Sequence, residues 1–167
     1  MPDRLRTAQD AGAQDEQRRD LLAYGTQVVM DGRLADTAKL ASRELAEGFV
    51  RQMLSLLENG GEEPLVVVMD DDPVRPGVSA VARSGESGVM VHTYTTMAKL
   101  TMRLVSSRTV VVDDVRRAFV EEYQVGRHQT HITARFRTMA WRLDVLAAQL
   151  AGERDYARVR LTEPLEP

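Results

Sequence analysis

The chain has 167 residues and a mass of 18.7 kDa, with 43% hydrophobic residues, 28% charged residues and a formal net charge of -3, enough for one well-buried domain and too little for two generous ones. With a pI near 5.7 and scattered arginines, nucleic-acid binding has no electrostatic support. No apolar run reaches the roughly 18 residues of a membrane span and the start lacks the apolar core of a secretory signal, so a cytoplasmic protein with a small-molecule ligand is expected.

Cysteine is absent, which excludes disulfides, thiolate nucleophiles and thiol proton donors. A Schiff base to pyridoxal phosphate has only Lys39 and Lys99 to choose from, and both read as solvated positions.

Residues 1–22 are polar, mixed in charge and nearly without large apolar side chains. They predict a flexible tail ahead of a single domain over residues 23–167. Residues 26–31, TQVVMD, have strand character. Asp36 or Thr37 then caps a helix with Leu40, Ala41, Leu45, Phe49, Met53 and Leu56 on one broad face, stopped by Asn59-Gly60-Gly61. Residues 65–69 are a short apolar run that fits a buried strand, followed by a loop broken by Pro73, Pro76 and Gly77. Residues 78–83 and 89–94 predict two strands around the turn Ser84-Gly85-Glu86-Ser87.

Ala98, Leu100, Met102 and Leu104 alternate with Lys99, Thr101 and Arg103, the period of a half-buried strand. TVVVDD, residues 109–114, predicts a short strand leading into a helix over about 114–123, and HITARFR, residues 131–137, alternates as a further strand. A helix over about 139–151, with Met139, Trp141 and Leu143 packing on the sheet, and a weak closing strand, YARVRL at 156–161, complete the order. The fold class is α+β: a two-layer α/β sandwich, its largely antiparallel sheet covered by helices on one face.

The turn at Gly85-Glu86 is first of all a tight reversal for which glycine supplies the backbone freedom. Ser87 stands at its apex, His92 lies five residues along the outgoing strand and Ser79 eight residues back on the incoming one. Hairpin pairing places Ser79 within a rung or two of His92, so a hydroxyl, an imidazole and a strained peptide bond are expected to meet. His128-x-x-His131 has metal-like spacing, but no carboxylate stands nearby and the strand pattern turns the rings apart, so no metal is expected.

The segment GVSAVARSGESGVMVHTY, residues 77–94, resembles the processing site of the prokaryotic pyruvoyl-dependent S-adenosylmethionine decarboxylases, where G-V-S-G is followed by E-S-H and H-T-W-P-E. Aligned without a gap, Gly77, Val78, Ser79, Glu86, Ser87, His92 and Thr93 match.

The resemblance implies an inactive precursor that cuts itself between Glu86 and Ser87, leaving Ser87 as a pyruvoyl group, with His92 as processing base and Ser79 supporting the cleavage. The chemistry suits those residue types: the serine oxygen attacks the preceding carbonyl to form an ester, a base removes the α-hydrogen, elimination leaves dehydroalanine and hydrolysis gives the ketone. A pyruvoyl ketone then serves as electron sink for decarboxylation in place of pyridoxal phosphate, without a metal.

The resemblance further implies a homodimer, a place in polyamine biosynthesis and S-adenosylmethionine or a basic amino acid as substrate. The chain departs from the pattern at several points. Gly88 replaces the histidine after the cleaved serine, Tyr94-Thr95-Thr96 replaces Trp-Pro-Glu, Ser107 stands at the position of the proton-donating cysteine, and Asp71 and Asp72 replace His-Arg. Asp71, Asp72 and Tyr94 are the candidate substrate-binding residues. The competing expectation is a catalytically inactive relative that binds a ligand or a partner subunit.

Overall fold

The computed structural model describes residues 26–57, 65–70, 76–106, 110–133 and 143–162. The chain builds six strands: β1 (Thr26–Arg33), β2 (Leu65–Asp70), β3 (Val78–Ser84), β4 (Ser87–Tyr94), β5 (Lys99–Ser106) and β6 (Arg127–Thr133). They form one antiparallel sheet in the order β2-β3-β4-β5-β1-β6. The expected α+β class and antiparallel sheet are present.

The helix expected after residue 36 is two helices. Asp36 accepts a hydrogen bond from the Lys39 amide at 2.9 Å and caps the single turn α1 (Thr37–Leu40), and the Ser42 hydroxyl accepts from the Leu45 amide at 3.1 Å ahead of α2 (Arg43–Leu57). α3 (Val112–Tyr123) starts where TVVVDD was expected to be a strand. Asp113 and Asp114 fall in its first turn, where the helix dipole favours carboxylates.

The sheet face carrying Val28, Met30, Ala80, Ala82, Val89, Val91, Met102 and Leu104 packs on Phe49, Val50 and Met53 of α2 and on Val115, Phe119 and Tyr123 of α3. Phe49 meets the Tyr123 ring edge-on at 5.1 Å between centroids, a geometry that adds specificity to the apolar burial.

The largest departure from expectation is α4 (Leu143–Thr162). It absorbs the expected closing strand YARVRL and lies on the second face of the sheet, so helices cover both faces. Its buried residues Leu146, Leu150, Ala157 and Leu161 recur at helical spacing, a pattern invisible in the six residues that looked like a strand. Leu146 and Leu150 pack on Val81, Met90 and Val105, and Ala157 and Leu161 pack beside Tyr94. The expected tail, the helix stop at 59–61, Met139, Trp141 and the second half of HITARFR lie outside the described residues.

Candidate functional site

β3 and β4 are joined by a two-residue turn, Gly85-Glu86, closed by the pairing of Ser84 with Ser87. Gly85 has a φ of 53°, the left-handed value glycine adopts without steric cost. Glu86 is exposed and Ser87 is 2% exposed, so the bond expected to break joins a solvated residue to a buried one. Arg83 Nη2 donates to Gly85 O at 2.9 Å and holds the turn.

Ser79 pairs directly with His92 across the hairpin, and Ser79 Oγ lies 2.9 Å from His92 Nδ1. Arg154 of α4 donates from Nη1 to Ser79 Oγ and from Nη2 to Thr93 O, both at 2.9 Å. Burial, reinforced by the Arg160 and Arg103 charges, pushes the His92 imidazole down to a pKa of about 3, so it is neutral at physiological pH.

Of the expected meeting, the Ser79 hydroxyl and the His92 imidazole come together, and the Glu86–Ser87 bond does not join them. Five residues of extended strand separate Ser87 from His92, about 16 Å at 3.3 Å per residue. Alternation also puts them on opposite faces: Ser87 shares the face of Val89 and Val91, while His92 shares that of Met90, under α4.

What stands beside Ser87 is a row of hydroxyls. Ser84 is its partner on β3, and the register that pairs Gly88 with Val105 brings Ser106 next to it on β5. All three serines are buried. Sequence reasoning passed over Ser84 and Ser106, although the hairpin register and the alternation of β5 carried the signal. Ser107, Asp71 and Asp72 lie outside the described residues.

Three of the matched motif residues have a packing role. A Cβ on Gly77, whose φ is 155°, would stand 2.0 Å from Thr93 O. The Thr93 hydroxyl accepts from the Val78 amide at 2.8 Å and donates to Leu40 O at 2.6 Å, tying α1 to the hairpin.

Tyr94 is 3% exposed and donates its hydroxyl to Arg154 O at 2.6 Å, while the Arg154 guanidinium lies 4.5 Å above its ring. Burial raises the phenol above its usual range. Tyr94 also lines a cavity of about 360 Å³ with Pro76, Thr96, Met97 and Arg158.

A second cavity, of about 400 Å³, lies between α4 and the sheet, lined by His92, Thr101, Arg103, Glu153, Tyr156 and Arg160 among others. Two ion pairs frame it. Arg103 meets Glu153, and Arg160 Nη2 reaches Asp31 Oδ1 at 2.6 Å and Thr101 Oγ1 at 2.8 Å. Arg154 and Arg160 were not singled out from the sequence, where the helix was expected to end near residue 151 and a strand to run over 156–161.

Lys39 and Lys99 are not merely solvated: each ammonium donates to a backbone carbonyl at 2.6 Å, of Glu122 and Leu161 respectively. His128 and His131 pair with Gly32 and Val29 of β1 and project from opposite faces of β6. Among the described residues no three of His, Asp or Glu converge as a metal site, and no helix is long and apolar enough to cross a membrane.

No family model and no curated protein matches the chain. Among solved structures, the adenosylmethionine decarboxylase of Aquifex aeolicus is similar, with a TM-score of 0.52 and 15% identity over 71% of this chain and 95% of that one. The likeness is one of fold. The Gly85-Glu86 turn and the Ser79–His92 pair lie on one hairpin of the shared sheet architecture.

Proposed function

We propose that the chain is a self-processing, pyruvoyl-dependent decarboxylase of the S-adenosylmethionine decarboxylase family, acting on S-adenosylmethionine or a basic amino acid. The observation that carries this reading is the hairpin itself: the Gly85-Glu86 turn leads directly into Ser87, between the two strands on which Ser79 and His92 are hydrogen-bonded, within a fold similar to that of a known adenosylmethionine decarboxylase.

Ser87, the first residue of β4, fits the position a self-generated pyruvoyl group requires, and that group would supply the electron sink for loss of carbon dioxide. Ser84 and Ser106 flank it. His92 and Ser79 of the same chain stand too far away to act on it. In the homodimer this reading implies, His92 and Ser79 of one copy would serve Ser87 of the other. Asp71, Asp72 and Tyr94 are the substrate contacts of this reading.

A second reading, a catalytically inactive relative that binds a ligand, draws on the burial of His92 beneath α4 and the cavity beside it. Intact mass of the purified protein separates the two: two fragments divided between Glu86 and Ser87 support processing, and one uncut chain supports the second reading.

A further inference from the structure

α4 is apolar on two sides, and the fold uses one of them. Leu146, Leu150, Ala157 and Leu161 are buried against the sheet. At 3.6 residues per turn, Val145, Ala148, Gly152, Tyr156 and Val159 fall on the opposite side as a second stripe. All five are exposed, the two valines and the tyrosine to between 46% and 68%. Apolar residues scattered singly over a surface need no explanation, whereas a row aligned over about four turns of one helix marks a contact surface.

Gly152 stands at the middle of that row. An added Cβ there meets nothing within 4 Å, so the packing of the chain on itself does not call for a glycine, which weakens a helix interior relative to alanine. With Ala148 one turn earlier, it leaves a shallow where a second helix axis can come close.

The order of residues selects the occupant. Val145 and Val159 each stand seven residues from Gly152, and Ala148 and Tyr156 each stand four. Turned end for end about Gly152, the stripe meets a copy of itself with valine on valine, small alanine against large tyrosine, and glycine on glycine. Asp144 and Arg158 share one flank of the stripe, and the same rotation brings Asp144 of each copy beside Arg158 of the other. Parallel pairing would instead set like charge against like and tyrosine against tyrosine. The Arg160 guanidinium lies 5.8 Å from the centre of the Tyr156 ring and steadies this aromatic anchor. Residues 1–22, nearly without large apolar side chains, have no matching row to offer.

We propose that the outer stripe of α4 is a self-association surface, on which a second copy of the chain lays its own α4 antiparallel about a two-fold axis at Gly152. The contact is isologous and closes at two copies. A single helix pair about 21 Å long falls below the area of a standard permanent interface, so the dimer forms at micromolar concentrations or above. α4 stays on its own sheet, so this contact differs from one that would carry His92 of one copy to Ser87 of another, and it does not rest on self-cleavage.

Sedimentation equilibrium of the full-length Ser87→Ala chain, which has no serine to process, tests the surface from about 5 to about 500 μM. An association step is expected in that range. Gly152→Glu, which adds a helix-favouring side chain in open space, should weaken the step by about tenfold or more by setting two carboxylates against each other at the axis. Mixing it with Gly152→Lys should restore the step, since mixed pairs carry opposite charges there. The chain has no cysteine, so Gly152→Cys gives a second readout: under oxidant it should link two copies about tenfold faster or more than Glu121→Cys, an exposed position on α3.

A monomer at every concentration, as when another segment of the chain covers the stripe, would overturn the surface. So would an association step that Gly152→Glu leaves unchanged, no recovery on mixing, or cross-linking no faster at 152 than at 121. The cysteine readout stands even if a charged variant does not fold.

Discussion

Ser79 and His92 face each other across β3 and β4 with Oγ 2.9 Å from Nδ1, yet Ser87 opens β4 five residues before His92 and on the opposite face of the sheet. If His92 acts on Ser87, it acts from another copy. Coexpression of a Ser87→Ala chain, which keeps His92, with a His92→Ala chain, which keeps Ser87, should give cleavage of the His92→Ala chain alone. Each variant expressed by itself should stay whole. Cleavage of His92→Ala by itself would remove His92 from the processing reaction.

Stability should fall in acid because of the same imidazole. The folded chain holds His92 at about 3, chiefly by burial, whereas an unfolded histidine titrates near 6.5. Between those values the unfolded chain binds one more proton. The contribution is thus complete above about pH 6.5 and is lost as pH falls through the window, at up to about 1.4 kcal/mol per pH unit. Urea midpoints measured stepwise from pH 7 to pH 4 should fall more steeply for wild type than for His92→Gln. Parallel curves would mean that the buried ring protonates freely.

Gly77 should tolerate no side chain. An alanine there would press its Cβ to within 2.0 Å of Thr93 O at a φ of 155°, a backbone clash that costs on the order of 3 kcal/mol or more. Gly48, in the middle of α2 with nothing within 4 Å of an added Cβ, is the control: Gly48→Ala should stabilise by up to about 1 kcal/mol. Chemical denaturation of the two variants should therefore move in opposite directions.

The Arg160–Asp31–Thr101 cluster pins α4 to β1 and β5. Asp31 is 7% exposed as a residue, and Arg160→Leu leaves its carboxylate with the Thr101 hydroxyl as its side-chain partner among the described residues. Because the Arg160 side chain is 32% exposed, the expected loss is discounted from the fully buried case to about 1–3 kcal/mol. Adding Asp31→Asn to Arg160→Leu should recover part of that loss in urea unfolding, and a strictly additive pair would show that the two residues are not coupled.

Much of this architecture was legible in the residues. Period-two alternation located β5, strand-type composition located β1, and the glycine turn bracketed β3 and β4 and placed Ser79 within a rung or two of His92. The second face was not legible. Tyr156 to Leu161 alternates locally like a strand, and only the longer spacing of Leu146, Leu150, Ala157 and Leu161 reveals a helix, so Arg154 and Arg160 went unnoticed beside His92. The separation of Ser87 from His92 was hidden for a different reason. Sequence spacing suggested proximity, whereas five residues of strand are a long, stiff spacer that also inverts the face.

The decisive measurement is the intact mass of the purified chain beside that of Ser87→Ala. Self-processing predicts that wild type divides between Glu86 and Ser87, with a blocked N-terminus on the second fragment, and that Ser87→Ala remains whole. A single wild-type species at 18.7 kDa under every condition, indistinguishable from an uncut Ser87→Ala chain apart from the missing oxygen, would contradict it.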